Sequence, residues 1–411
     1  MNKTILLISF LVITFNISAG RPEARKLERK AKRIHDKMLT IDSHNDTPLR
    51  MIRPGFDWSE RHDTKTDRSR VDLVKMEEGG LDGAFFAVFV GQGPLTPEGN
   101  ATAKQRALMV CDTLLNVIHR NSDRIGLALT PADAYRLEKQ GKRIAFIGIE
   151  NGYPVGKEIG MIRTLYDKGA RYITLVHTRN NDICDSSTDT VIFGGLSGFG
   201  REVVAEMNRL GMMIDVSHAS DSSFYDILQI TRSPVLASHS CARALCNNPR
   251  NLGDDMLRAL AANRGVIQMC ILSDYVKKPA PNPPRDSARD AVTDKFRNFE
   301  NLSDEEMKQA RKEWYAIEDQ FPKELATVGD VIDHIDHIID VAGIDHVGIG
   351  TDFDGGGGVT GCYDASEMGN ITLELVMRGY SKEDIRKIWG GNLMRVMNEN
   401  ISVAQEIAQK R

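Results

Sequence analysis

The sequence predicts an α/β fold: a (β/α)8 TIM-like barrel with an extra helical excursion before the last strand. Three observations predict it. Short β-rich apolar runs recur along the chain, each is followed by a longer segment with apolar residues three and four apart, and there are eight such runs. Apolar strands that alternate with amphipathic helices are typical of a buried parallel sheet, and eight of them favour a closed barrel over an open sheet.

The eight predicted strands are near-continuous apolar stretches. They lie at Met38–Asp42, Gly83–Val90, Arg143–Ile149, Arg171–Val176, Met212–Val216, Pro234–Ala237, Gly265–Ile271 and His346–Gly350. Residues 21–37 are basic and predict a solvated helix that leads into the domain. The helix before the eighth strand carries His334 and His337 one turn apart, and we expect both on a solvated face rather than at a metal.

One segment departs from this pattern. Residues 273–326 contain the proline cluster PAPNPP and continue as the charged helical stretch NLSDEEMKQARKEWYAIEDQ. We expect a helical insertion within a single barrel domain of residues 21–411. Whether the insertion shapes a pocket or a subunit contact stays open.

Composition and termini limit the classes of function. The 411-residue chain has a net charge of −4, with 27% charged and 41% apolar residues, as in an ordinary soluble protein. It has no basic excess, which argues against a nucleic-acid partner. Residues 1–20 combine Lys3, a short apolar run and Ser18-Ala19-Gly20, which predicts a cleaved secretory signal peptide; an uncleaved anchor is the alternative. The C-terminus is polar, so we expect no glycolipid anchor.

Ionisable residues follow most of the predicted strands, where a barrel enzyme places its chemistry. They are His44 and Asp46 after the first strand, Glu150 after the third, His177 after the fourth, His218 after the fifth, His239 after the sixth and Asp352 after the eighth. Such groups destabilise one another at one end of a barrel unless a cation or a substrate joins them. The pattern therefore predicts a metal site.

The donor types indicate which metal. Histidine nitrogen and carboxylate oxygen without thiolate suit zinc, and the donors outnumber the three that a single catalytic zinc needs. We therefore expect two zinc ions bridged by Glu150, with His44 and Asp46 on one ion and His218 and His239 on the other. A metal-bridging hydroxide would be the nucleophile.

Seven motifs resemble, in order, the membrane (renal) dipeptidase family of zinc peptidases. They are HND at 44–46, IGIENG at 147–152, TLVHTRNN at 174–181, DVSHAS at 215–220, SHSCARAL at 238–245, NPRNL at 248–252 and TDFDG at 351–355. The resemblance implies a two-zinc barrel with the ligands named above. It also implies that His177 contacts the substrate and stabilises the oxyanion, that Arg250 holds the dipeptide's C-terminal carboxylate, and that Asp352 shuttles the proton to the leaving amine.

The sequence thus predicts an exported dinuclear zinc dipeptidase that hydrolyses free dipeptides, including those with a C-terminal D-residue. A signal without an anchor is typical of a bacterial, periplasmic member, and a homodimer stays open. One alternative is a related metal-dependent amidohydrolase or lactonase, although that group usually has His-x-His after the first strand. The other is a non-catalytic periplasmic binding protein, which would not need Asp352.

Overall fold

The computed structural model describes residues 21–299 and 302–410. Its sheet is parallel throughout and contains nine strands, eight of which form a nearly closed barrel in the order β1-β2-β4-β5-β6-β7-β8-β9, while β3 pairs only with β4. The strands are β1 (Ile41–Asn45), β2 (Gly83–Phe89), β3 (Ile125–Leu127), β4 (Arg143–Glu150), β5 (Ala170–Thr174), β6 (Met213–Asp215), β7 (Leu236–Ser240), β8 (Val266–Cys270) and β9 (Val347–Gly350). The predicted (β/α)8 barrel is confirmed.

Sixteen α-helices belong to the described residues. They are α1 (Arg21–His35), α2 (Pro48–Met51), α3 (Leu73–Gly79), α4 (Pro97–Arg120), α5 (Pro131–Lys139), α6 (Gly160–Asp167), α7 (Gly198–Leu210), α8 (Asp221–Ile230), α9 (Asp254–Ala262), α10 (Ser273–Val276), α11 (Pro283–Lys295), α12 (Asp304–Gln320), α13 (Val328–Ala342), α14 (Gly369–Met377), α15 (Lys382–Arg386) and α16 (Asn392–Gln409). None of these helices is both long enough and apolar enough to cross a bilayer.

The barrel closes where its first and last strands meet. At the carboxyl ends of β1 and β9, the amide of Asp352 donates to the carbonyl of His44 at 2.9 Å, and the amide of Asp46 donates to that of Phe353 at 2.8 Å. The Asp42 carboxylate adds a third link, because it accepts from the amide of Thr351 at 2.7 Å. Residues from the two ends of the chain therefore share one rim.

The interior of the barrel is filled with aromatic side chains. The ring of Phe85 stacks on those of Phe146 and Tyr172, with centroids 4.5 and 5.2 Å apart, and all three residues are fully buried. The same cluster includes Leu393 and Met397 of α16. This packing leaves the carboxyl ends of the strands as the place for a cavity.

The excursion before β9 is helical, as predicted. Helices α11 and α12 pack on each other around a small apolar core of Val292, Phe296, Ala310 and Ile317. The guanidinium of Arg285 on α11 also pairs with Glu318 on α12 at 2.9 Å. The excursion is thus a helical hairpin with a core separate from that of the barrel.

Three details differ from the prediction. Strand β1 lies three residues further along than expected, and the short β3 was not predicted, because three residues with a central glycine give no periodic signal. His334 is buried rather than solvated: its Nε2 lies 2.8 Å from the carbonyl of Val276, and its Nδ1 accepts from the amide of Ala242 at 3.1 Å. The face of α13 that carries His334 packs against the loops after β7 and β8, so this side chain is part of the protein interior. The predicted signal peptide, residues 1–20, lies outside the described residues.

Candidate metal centre

The structure brings the predicted strand-end residues together at one mouth of the barrel. Asp46, Glu150, His177, His218, His239 and Asp352 line a cavity of about 270 Å³. His44 lies directly behind this wall, fully buried, with its ring stacked on that of His239 at 3.8 Å between centroids. Strand register explains the convergence, since parallel strands present their carboxyl ends on the same rim.

Glu150 lies at the centre of the group. One carboxylate oxygen, Oε1, is 3.3 Å from Nε2 of His218 and 3.5 Å from Nε2 of His239. The other, Oε2, is 3.5 Å from Nε2 of His44, which in turn lies 3.7 Å from a carboxylate oxygen of Asp46. The two oxygens of Glu150 therefore face different imidazole nitrogens: Oε1 faces those of His218 and His239, and Oε2 faces that of His44.

Three overlapping groups of donor atoms lie close enough to hold a metal ion. Each group has its ligand atoms within 4.8 Å of one another: His44 with Glu150 and His239, Glu150 with His177 and His218, and His44 with Asp46 and Asp352. Within these groups, Nε2 of His44 and Oδ1 of Asp46 have no hydrogen-bond partner among the described residues. Buried polar atoms without partners are costly, and a cation would satisfy them. The residues present therefore fit a metal centre.

Buried polar groups on the strands hold the histidines in place. The Nδ1 of His44 lies 2.8 Å from the hydroxyl of Tyr172 on β5. The Nδ1 of His239 lies 2.8 Å from the hydroxyl of Ser238, which donates to Asp215 at 2.6 Å. Such contacts leave the Nε2 of each ring facing the cavity and fix the ring orientation, as around most metal-binding histidines.

Tyr172 and Asp215 were missed by sequence reasoning. Both lie within predicted strands, fully buried, and Asp215 also accepts from the amides of Ser217 and Ser238 at 3.0 and 2.9 Å. A charged residue in an apolar run such as MMIDVSH is a signal that could have identified Asp215, because buried carboxylates are rare without partners. Tyr172 gave no comparable signal.

Burial shifts the pKa of His177 and the pKa values of the cavity carboxylates in opposite directions, whereas Tyr172 and Glu150 raise the pKa of His44 despite its burial. Burial lowers the pKa of His177 to about 3, with a further contribution from Arg250. Burial raises the pKa of Asp46 to about 6, helped by Glu150, and raises that of Asp352 well above its ordinary value, helped by Cys270 and Asp46. A neutral imidazole is the form that binds metal, and the crowded carboxylates would gain from a cation.

Backbone strain coincides with the cavity. His218 and Asp352 adopt left-handed φ angles of 68° and 57°, which cost about 1 kcal/mol or more for residues with a Cβ. A Cβ added to Gly355 would lie 2.1 Å from Oδ2 of Asp46 and 2.3 Å from Oδ1 of Asp352, so only glycine allows this approach. The loop after β9 is thus shaped around the two carboxylates.

Arg250 lies behind His239 rather than in the cavity wall. Its Nη2 donates to the carbonyl of His239 at 2.8 Å, and its side chain is almost fully buried. The guanidinium carbon is 5.4 Å from the ring centroid of Tyr275, which does line the cavity. The Nε of Arg250 has no hydrogen-bond partner among the described residues, so the group keeps donor capacity next to the cavity.

Comparison with known proteins identifies the family. Residues 28–411 match the family model described as membrane dipeptidase, peptidase family M19. The chain belongs to this family. The resemblance inferred from the motifs is confirmed, and the protein is a metallopeptidase on family grounds.

Individual members of the membrane dipeptidase family match over most of their length. The chain is 31% identical to the dipeptidase tcpJ of Claviceps purpurea over 372 residues, covering 88% of this chain and 77% of that protein. It is also 31% identical to the dipeptidase verJ of Clonostachys rogersoniana, covering 92% and 89%. Among solved structures, the probable dipeptidase PvdM from Pseudomonas aeruginosa has a TM-score of 0.80 at 30% identity, covering 92% of this chain and 99% of that one.

Proposed function

We propose that this membrane dipeptidase family member is an exported dipeptidase that hydrolyses the amide bond of free dipeptides with two zinc ions bridged by Glu150. One observation carries the proposal: Oε1 of Glu150 faces His218 and His239, whereas Oε2 faces His44. A carboxylate with donors on both sides is suited to bridge two ions. The family membership supplies the reaction class.

Five residues would hold the two ions. His44 and Asp46 would bind one, His218 and His239 the other, and Glu150 both. The unpartnered buried atoms of His44 and Asp46 support this assignment. When bound, zinc would polarise the scissile carbonyl and lower the pKa of the attacking water. Zinc is the metal proposed because all the donors are imidazole nitrogens or carboxylate oxygens.

The remaining polar residues would act on the substrate. Asp352 would take a proton from the attacking water and deliver it to the departing amine, because its carboxyl lines the cavity beside Asp46. His177 would donate a ring N–H to the oxyanion, because the ring lines the cavity with its Nε2 3.6 Å from Oε1 of Glu150. Arg250 would pair with the C-terminal carboxylate of the dipeptide, since a planar guanidinium can donate two parallel hydrogen bonds.

Two further properties rest on the sequence and the resemblance. We propose that residues with the D configuration are accepted at the C-terminal position, as the resemblance implies. We also propose that residues 1–20 direct export, with the bacterial periplasm as the location. Mass analysis of the mature N-terminus and fractionation of the expressing cells would test the export proposal; an intact N-terminus in the cytoplasm would contradict it.

Metal analysis and a substrate panel test the function. Purified protein should contain close to two zinc ions per chain. It should hydrolyse L-Ala-L-Ala and L-Ala-D-Ala, but neither N-acetylated dipeptides, nor tripeptides, nor a simple lactone. Hydrolysis of the lactone alone would favour the amidohydrolase alternative, and protein with intact fold but no bound metal would overturn the two-zinc proposal.

A further inference from the structure

A second cavity of about 670 Å³ adjoins the candidate metal centre. The two cavities share Leu272, Asp354 and Gly355 in their walls. Seven cationic side chains and four carboxylates line the larger one, an excess of three positive charges. We call it the arginine pocket, after Arg50, Arg68, Arg70, Arg285, Arg289 and Arg311. A cleft lined by an excess of positive charge attracts anions.

One wall of the arginine pocket contacts the loop after β9, which carries Asp352. Arg50 lies on α2, the helix that follows β1. Its Nε is 3.3 Å from Oδ1 of Asp354, and its side chain is 7% exposed. The same oxygen accepts from the amide of Arg70 at 2.9 Å. Asp354 stands two residues after Asp352, so a ligand in the pocket would lie next to the reacting atoms.

The opposite wall comes from the helical hairpin. Arg285 and Arg289 of α11 both pair with the single carboxylate of Glu318, and the guanidinium of Arg289 lies 4.6 Å from the Trp314 ring centroid. Arg285 is 5% exposed. The Nε atoms of both arginines have no hydrogen-bond partner among the described residues. One carboxylate thus faces two guanidinium groups that retain free donors.

The positive excess also acts on a neutral neighbour. Although burial opposes it, the arginines Arg50, Arg53 and Arg311 lower the pKa of the Tyr315 phenol. Burial, together with Arg50 and Arg311, lowers the pKa of Arg53 to about 10. The charges of Arg50 and Arg311 thus repel that of Arg53, whereas the Asp354 carboxylate raises the pKa of Arg50 despite its burial. An anionic ligand would relieve this repulsion.

The position of Arg250 indicates which part of a substrate would reach the pocket. Arg250 lies by Tyr275, which lines the catalytic cavity but not the arginine pocket. We take a dipeptide held by its C-terminal carboxylate at Arg250 to extend through the cavity of the candidate metal centre, which would bring its N-terminal residue to the shared wall of Asp354 and Gly355.

We infer that the arginine pocket binds an anionic group, carboxylate or phosphate, on the side chain of the substrate's N-terminal residue. The inference rests on the proposed dipeptidase function and adds a substrate class to it. It also gives the hairpin a role: α11 and α12 form the wall that selects this group. Guanidinium groups recognise both kinds of anion by paired hydrogen bonds.

Matched dipeptides test the inference. Nε-succinyl-lysyl-alanine and Nε-acetyl-lysyl-alanine have long side chains, but only the first is anionic. We expect kcat/KM to be at least about tenfold higher for the succinyl substrate. Phosphotyrosyl-alanine and tyrosyl-alanine form the matched pair for phosphate. The pair with the larger ratio of kcat/KM, anionic over neutral member, identifies the preferred anion. Equal kcat/KM within both pairs would overturn the inference.

Variants then locate the preference. Arg289→Gln should remove most of the preference for the anionic substrates and leave kcat/KM for alanyl-alanine unchanged, whereas Arg289→Lys keeps the charge and should retain part of it. Arg163→Gln is the matched control, because Arg163 is exposed on α6 and pairs only with Asp167 in the described structure. An undiminished preference in folded Arg289→Gln protein would contradict the assignment to this pocket.

Failure of the proposed function is distinguishable from failure of this inference. If alanyl-alanine is hydrolysed but the anionic substrates are not preferred, the dipeptidase proposal holds and the anion-binding role of the arginine pocket is wrong. If no dipeptide is hydrolysed, the dipeptidase proposal fails. Calorimetric binding of the same matched pairs to the wild-type protein then tests whether the arginine pocket binds anions. Tighter binding of the anionic member, lost in Arg289→Gln, supports the pocket; equal binding overturns it.

Discussion

The Nδ1 of His44 lies 2.8 Å from the hydroxyl of Tyr172, a residue 128 positions further along the chain. Both groups are fully buried, and the hydroxyl also lies 3.3 Å from the carbonyl of Ser43. The tyrosine therefore fixes the His44 ring with its other nitrogen toward Glu150. The interior aromatic packing and the metal centre are joined through this one hydroxyl.

Tyr172→Phe should weaken metal binding while leaving the barrel folded. The ring keeps its stacking on Phe85, but His44 loses the partner that orients it. We expect metal affinity to fall by about 10- to 100-fold, measured by competition with a chromogenic chelator. Tyr166→Phe is the control, because that ring lies under Arg171 away from the site. Unchanged affinity in Tyr172→Phe would show that the hydroxyl does not orient His44.

Asp352→Asn should abolish turnover without loss of metal. The amide preserves the size of the side chain but cannot carry a proton between water and amine. General acid–base residues contribute about 10²- to 10⁴-fold, so we expect kcat to fall within this range. Elemental analysis of the same preparation gives the metal content. A matching loss of metal would mean that Asp352 is a ligand instead.

Arg250→Ala should act mainly through the substrate carboxylate. We expect KM for alanyl-alanine to rise about tenfold or more, because a charged hydrogen-bonded pair is lost. Alanyl-alanine amide lacks this carboxylate, so its kcat/KM should be similarly low for the wild type and the variant. A larger effect of the substitution on the amide than on the free dipeptide would assign Arg250 a purely structural role behind His239.

Removal of the metal should lower stability. Ligand binding to the folded state adds to the free energy of unfolding, and the buried carboxylates of Asp46 and Glu150 would otherwise face each other without a cation. We expect chelation to lower Tm by about 5 °C or more, with recovery on addition of zinc. Differential scanning calorimetry measures the change, and a Tm indifferent to chelator and zinc would speak against a metal at this site.

Thr372→Val should destabilise the fold without touching the site. The Thr372 hydroxyl is buried and lies 2.7 Å from both Nδ1 of His35 and Nε1 of Trp389. Valine keeps the shape but leaves the indole N–H without a partner, at a cost of about 1–3 kcal/mol. Urea denaturation measures the loss. The metal content of the folded variant should equal that of the wild type, and unchanged stability would show that the hydroxyl contributes nothing.

The sequence predicts most of this architecture because barrel strands are apolar on both faces and their polar ends stand out. Glu150 and His239 could be found in this way, each at the end of an apolar run. The sequence predicts strand boundaries less accurately. Strand β1 was predicted three residues early, because Met38 and Leu39 extend its apolar run before the strand begins. Local periodicity identifies an element better than it identifies the element's first residue.

Contacts between side chains on different strands and loops could not be predicted from the sequence. The hydroxyl of Tyr172 reaches His44 on another strand, and His334 is buried because the loops after β7 and β8 cover its helix. Both facts depend on which strands and loops become neighbours. The arginine pocket is a similar case, because its two walls come from the loops beside β1 and from the hairpin before β9.

The closure of β9 onto β1 joins segments from opposite ends of the barrel's strand order. The amides of Asp352 and Asp46 complete hydrogen bonds between segments that are far apart along the chain, since Thr351 lies 307 positions after His44. Contacts of such long range form late, because the entropy of closing the intervening chain opposes them. A nascent or truncated chain that ends before β9 has no closed rim and no Asp352. On the proposed mechanism, which needs Asp352, hydrolysis would therefore begin only after β9 has joined β1.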